Sequence, residues 1–164
     1  MLTAGPATAA DLENVRTLEI GVRGSVAERC AMGSVGNVDF GDLNRPGLNA
    51  VTQVQLSCNI PFNMSIRAQH GGLSNARLPN GQGPYAGTLP YTIGVEMPIR
   101  RPGAAVVSRS FQSRELAAGR TISSEGGIAV DGMALSLSLG RPSGEAGLLA
   151  GDYSETIEIT ITPV

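Results

Sequence analysis

A chain of 164 residues, 41% hydrophobic and 16% charged, is long enough for one domain with a continuous core and too short for two of ordinary size. Its formal net charge of −2 gives no clustered basic surface for nucleic-acid phosphates, and no apolar run reaches the roughly 20 residues that span a bilayer as a helix. All 12 basic residues are arginine, which closes off Schiff-base and P-loop chemistry, while 22 glycines and 10 prolines suit short strands joined by turns.

At the N-terminal end, Ala7-Thr8-Ala9 before Ala10-Asp11 has the form of the small-residue tail of a secretory signal, the alternative being a plain Ala/Gly/Pro leader. Leu18, Ile20, Val22, Gly24 and Val26 then alternate with Glu19, Arg23 and Ser25, the period of a strand. A glycine in such an apolar stripe marks a place where another backbone comes close, or else a bulge. Gly36 to Leu43 reads as a short strand before the Asn44-Arg-Pro-Gly47 turn, and Val54, Leu56 and Cys58 alternate with Gln53, Gln55 and Ser57. After Pro61 the alternation resumes through Phe62, Met64, Ile66 and Ala68. His70 to Gly87, rich in Gly, Asn and Pro, reads as a long surface connection.

Leu89, Tyr91, Ile93, Val95 and Met97 form the next stripe, which the region from Pro98 to Gly103 is expected to end. Val107 and Phe111 suggest a weaker strand, and Ser113 to Ala118 a helical turn before Gly119. Gly119 to Gly132 is ambiguous, with Ile122, Ile128 and Val130 suited to short edge strands. Met133, Leu135, Leu137 and Leu139 alternate cleanly. So do Tyr153, Ile157, Ile159 and Ile161, opposite Ser154, Glu158 and Thr160, as one terminal strand. About seven short strands spaced by turns point to an all-β sandwich on an immunoglobulin-like plan.

Cys30 and Cys58 each adjoin a strand-like run, and neither belongs to a Cys-x-x-Cys or Cys/His cluster. A disulfide is expected, with two buried free thiols as the alternative. Closing a loop of this length stabilises a fold by roughly 3–4 kcal/mol on a chain-entropy account.

Several patches together resemble the spore coat protein U domain family, which supplies pilins of the archaic chaperone–usher pathway. They are Cys30 after the N-terminal stripe, Asn37-Val-Asp-Phe-Gly41, Gln55-Leu-Ser-Cys58 leading into Phe62-Asn-Met-Ser-Ile66, Arg77-Leu78, Leu89-Pro-Tyr91 and Ala150-Gly-Asp-Tyr-Ser-Glu-Thr156. The glycine-rich loop after His70 and the stretch from Pro98 to Ser124 depart from that pattern. The resemblance implies an incomplete immunoglobulin-like β-sandwich completed by donor-strand exchange. It divides the chain into a leader over residues 1–10, a donor segment over 11–27 and a sandwich over 28–164.

On this resemblance Leu18, Ile20, Val22, Gly24 and Val26 are the donor strand, with Gly24 where the groove is shallow. Tyr153, Ile157, Ile159 and Ile161 line the groove that accepts a donor. The implied partners are a periplasmic chaperone, an outer-membrane usher and neighbouring subunits of a cell-surface pilus, secreted through the periplasm and serving adhesion and biofilm formation. The alternative is a self-complete secreted sandwich, with the stripe as its first strand, binding a ligand such as a carbohydrate.

No cofactor, metal or enzymatic activity is expected. His70 is the single histidine, no Gly-x-Ser-x-Gly elbow is present, and Asp39, Asp42, Glu96 and Asp152 are scattered over strand ends and turns. Asp39 and Asp42 lack the dense oxygen spacing of a calcium loop and suit a turn.

Overall fold

Alternating apolar residues become paired strands in the computed structural model, which describes residues 16–164. In chain order the elements are β1 (Cys30–Met32), β2 (Asn49–Val54), β3 (Leu56–Cys58), β4 (Phe62–Ala68), β5 (Leu73–Asn75), β6 (Thr88–Leu89), β7 (Tyr91–Arg101), β8 (Gly103–Gln112), α1 (Ser113–Leu116), β9 (Arg120–Ser123), β10 (Met133–Leu139), β11 (Tyr153–Ser154) and β12 (Ile157–Pro163). The fold is an all-β sandwich. One antiparallel sheet has the order β2-β10-β7-β8, a second the order β12-β4-β9, and β1-β3 and β11-β5-β6 form smaller sheets.

The core lies between the two larger sheets. Phe62, Met64 and Ile66 of β4, with Ile122 of β9, meet Ile93, Val95, Met97 and Ile99 of β7 and Met133 of β10, all at most 2% exposed. Period-two burial puts every second side chain of β4 and β7 into this layer, which sets the register of both sheets. Cys30 and Cys58 sit opposite each other in the β1-β3 pair and form the expected disulfide.

Several expectations are corrected. Gly36 to Leu43 forms no strand. The stripe from Gln53 to Cys58 breaks at Gln55, β2 pairing with β10 while β3 pairs with β1. The connection after His70 contains β5, and it buries Ser74 and Asn75. Asn75 holds the loop by accepting the N–H groups of Arg77 and Leu78, both at 3.0 Å, and by donating to the Ala150 carbonyl.

Pro98 does not end β7. Arg100 exchanges backbone bonds with Ile128, so even-numbered residues of β7 turn their N–H groups toward the β10 side. Pairing with β10 stops at Glu96, so the N–H that Pro98 lacks would have faced no partner strand there. On the other flank the ladder to β8 continues through Pro98 opposite Val106, as far as Arg101 opposite Gly103. The single terminal strand is two, since β11 pairs with β5 and β12 with β4. The signal-like tail at Ala7 to Ala9, the leader over residues 1–10 and residues 11–15 of the donor segment lie outside the described residues.

Candidate functional site

β12 lies at the edge of its sheet, with β4 on one flank and, among the described residues, no strand hydrogen-bonded to it on the other. The bonds Gln69 N–H to Thr156 carbonyl and Val164 N–H to Pro61 carbonyl bracket the β4-β12 ladder, and both fall on even-numbered residues after β11. In an antiparallel pair such bonds alternate along the strand. Ile157, Ile159 and Ile161 therefore turn their peptide groups to the open flank. Their side chains point the other way from Glu158 and Thr160, into the sandwich, and remain only half-buried.

Beside this edge runs an open groove of about 640 Å³. Leu135, Leu137 and Leu139 of β10 form part of its floor, Ile157 and Ile159 one wall, and Val35 to Val38 with Phe40 line the opposite side. From Ser34 to Phe40 the chain makes no backbone hydrogen bond among the described residues. Both rims of the groove are thus unpaired backbone above a half-exposed apolar floor. Gly36 to Leu43 accordingly pairs with no strand among the described residues. The groove has the chemistry to admit one extended segment with alternate apolar side chains.

The N-terminal stripe does not fill it. Residues 17–29 belong to no strand, and Leu18, Ile20, Val22 and Val26 are 84%, 76%, 88% and 87% exposed. A side chain added at Gly24 would meet nothing within 4 Å. The stripe is therefore not a first strand of this sandwich in the structure. Four large apolar side chains exposed in a row are unusual on a soluble surface and mark a segment suited to burial elsewhere.

The arm has a fixed root. Asn59 donates to the Ala27 carbonyl at 2.9 Å and accepts the Arg29 N–H at 2.7 Å, while its own N–H donates to the Arg29 carbonyl. With the adjacent disulfide this clamps residues 27–30 to the sandwich. Asn59 escaped notice in the sequence, where an Asn after a strand signals only a turn.

Glu155 was also missed. Its side chain is 4% exposed, and it accepts N–H bonds from His70, Gly72 and Thr156 at 2.8 to 3.2 Å, with His70 Nδ1 at 3.3 Å. The carboxylate ties the loop after β4 to the break between β11 and β12, and it lines one end of the groove. A carboxylate on the inward parity of the terminal stripe, between Tyr153 and Ile157, was the available signal. His70 thus has a place beside Glu155. Asp39 accepts the Gly41 N–H and Asp42 the Asn44 N–H, both turn roles.

Tyr91 also lines the groove. Its hydroxyl is buried without a hydrogen-bond partner among the described residues, and burial, followed by the charge of Glu155, pushes its pKa far above the ordinary tyrosine value. Among the described residues no three His, Cys, Asp or Glu side chains converge as metal ligands. No helix of the described residues is long and apolar enough to cross a membrane. Comparison with protein-family models and with curated proteins returns no match for this chain.

Proposed function

We propose that this chain is a structural subunit of a secreted chaperone–usher pilus that polymerises by donor-strand complementation and serves surface attachment and biofilm formation. One observation carries the reading: among the described residues there is an unfilled groove beside the free edge of β12 and, separately, an exposed apolar arm that packs against no strand. An open sheet edge above a half-exposed core is an aggregation hazard that an extended segment from outside the sandwich relieves. The arm of a neighbouring copy has the alternation to do this, Leu18, Ile20, Val22 and Val26 facing inward and Gly24 lying where a side chain is excluded. The wall of Ile157 and Ile159, with Ile161 on the same face of β12 but beyond the groove's lining, receives it, as it first receives a strand from a periplasmic chaperone before exchange at an outer-membrane usher.

Export with a chaperone and an usher, followed by denaturing electrophoresis without boiling, tests this reading. The full chain is expected to give a ladder of detergent-resistant polymers. Deleting residues 11–26, or replacing Gly24→Leu, is expected to abolish the ladder while the chaperone-bound subunit keeps its melting temperature. A full chain that stays monomeric, or a Gly24→Leu subunit that polymerises normally, overturns the proposal.

A further inference from the structure

Resting on the donor reading above, we propose that Arg23 of one copy pairs with Glu158 of the next, and that this ion pair fixes the register of an antiparallel arm in the groove. The face of the arm that stays outside carries two charges, Glu19 and Arg23, and the outer face of β12 carries one, Glu158. All three are exposed, and neither Arg23 nor Glu158 enters an ion pair among the described residues. A shift by one residue turns Glu19 and Arg23 into the apolar floor, so only shifts by two remain.

Among antiparallel registers, one sets Arg23 opposite Glu158, with Ile20 facing Ile161, Val22 facing Ile159 and Gly24 facing Ile157. A shift by two leaves Glu158 facing Gly21, and a shift by four brings Glu19 against it, a like-charge pair that repels. In the favoured register Arg23 and Glu158 occupy a non-hydrogen-bonded site, because the outward peptide groups of β12 belong to the odd-numbered residues. Backbones approach most closely at such sites, roughly 4.5 Å between Cα atoms, so the two side chains meet.

The same register excludes the chain's own arm. Cys30 pairs with Cys58, β1 lies against β12, and Pro163 pairs with Phe62, which together put the root of the arm at the Pro163 end of β12. With Arg23 at Glu158 in antiparallel alignment, Val26 faces Glu155, eight residues or roughly 26 Å away along β12. Four residues from Val26 to Cys30 reach at most about 14 Å. Only a second copy fits the antiparallel alignment; a chain closing its own groove has to run parallel to β12, with Val26 near Ile161 and Arg23 again near Glu158, so the contact of position 20 or of position 26 with Ile161 tells the two apart.

The test mixes full-length chains that each carry one added cysteine. Ile20→Cys in one chain and Ile161→Cys in the other are expected to give a covalent dimer, mapped by peptide mass to positions 20 and 161. Adding Arg23→Glu to the donor chain is expected to slow dimer formation roughly threefold to tenfold on an unchanged acceptor, and to speed it by a similar factor on a Glu158→Arg acceptor. Arg67 of β4 stands opposite Glu158 on the other flank, so donors are compared on one acceptor at a time. A 20–161 dimer indifferent to these reversals overturns the ion pair and leaves the donor reading standing. A bond within one chain in the Val26→Cys, Ile161→Cys double variant, with no dimer, marks a self-closed sandwich and overturns both.

Discussion

Tyr91 concentrates at one residue the tension between a wet groove and a dry core. It opens β7, its backbone N–H donates to Ser113 Oγ at 3.2 Å, and its ring packs in the core, yet its hydroxyl finds no partner among the described residues. An orphaned buried hydroxyl costs about 1–3 kcal/mol, so Tyr91→Phe is expected to hold or raise stability by up to about 1 kcal/mol at pH 8. The raised pKa fixes the sign at high pH. The unfolded chain loses this proton near pH 10 while the folded chain keeps it, so the stability held below pH 10 falls as pH rises. At pH 11 the loss from this one group is on the order of 1 kcal/mol. Denaturant unfolding of both proteins at pH 8 and pH 11 checks it: the advantage of Tyr91→Phe should widen by that amount, and parallel curves would refute the assignment.

Among the elements, strands with strict alternation and two covered faces of pairing were legible. Phe62 to Ala68 and Met133 to Leu139 emerge with the limits their patterns suggest, because burial and register impose the same period. The element that carries the candidate site was only half legible. The pattern of Tyr153 to Ile161 announces apolar inward positions, but the break at Glu155 depends on where the loop after β4 offers its N–H groups, and that is tertiary information. Likewise Asn37-Val-Asp-Phe-Gly41 has a strand's composition but no paired strand among the described residues, and pairing is a property of two segments. For β12 this gives a prediction. Ile159 is half-buried, so Ile159→Asp leaves much of the monomer's stability in place but puts a carboxylate into any filled groove, at a cost of several kcal/mol. On the proposed function, the expected outcome is loss of chaperone co-purification and of polymer, measured on periplasmic extracts. Wild-type recovery of either would remove β12 from the acceptor role.

At the scale of the whole molecule, the sandwich and the arm meet at one clamp, the Cys30–Cys58 bridge flanked by Asn59. The sandwich class was legible from turn spacing and from the pair of cysteines; the separation of arm from sandwich was not, because alternation alone reads the same for a docked and an undocked strand. The separation implies that fold stability and assembly respond to different changes. The bridge closes a loop with a sequence separation of 28, so removing it through Cys30→Ser with Cys58→Ser should lower unfolding free energy by roughly 3–4 kcal/mol. It should also loosen the root from which the arm departs, while leaving the apolar stripe and β12 chemically intact. Thiol titration of the denatured, unreduced protein is expected to find no free thiol, and two free thiols would refute the bridge. Denaturant melts of the double variant should then show the stability loss, and on the proposed function any chain that still folds should accept the arm of an unaltered copy. An acceptor that fails in proportion beyond its folded fraction would mean that bridge and groove are coupled, and that the clamp shapes the site as well as anchoring the arm.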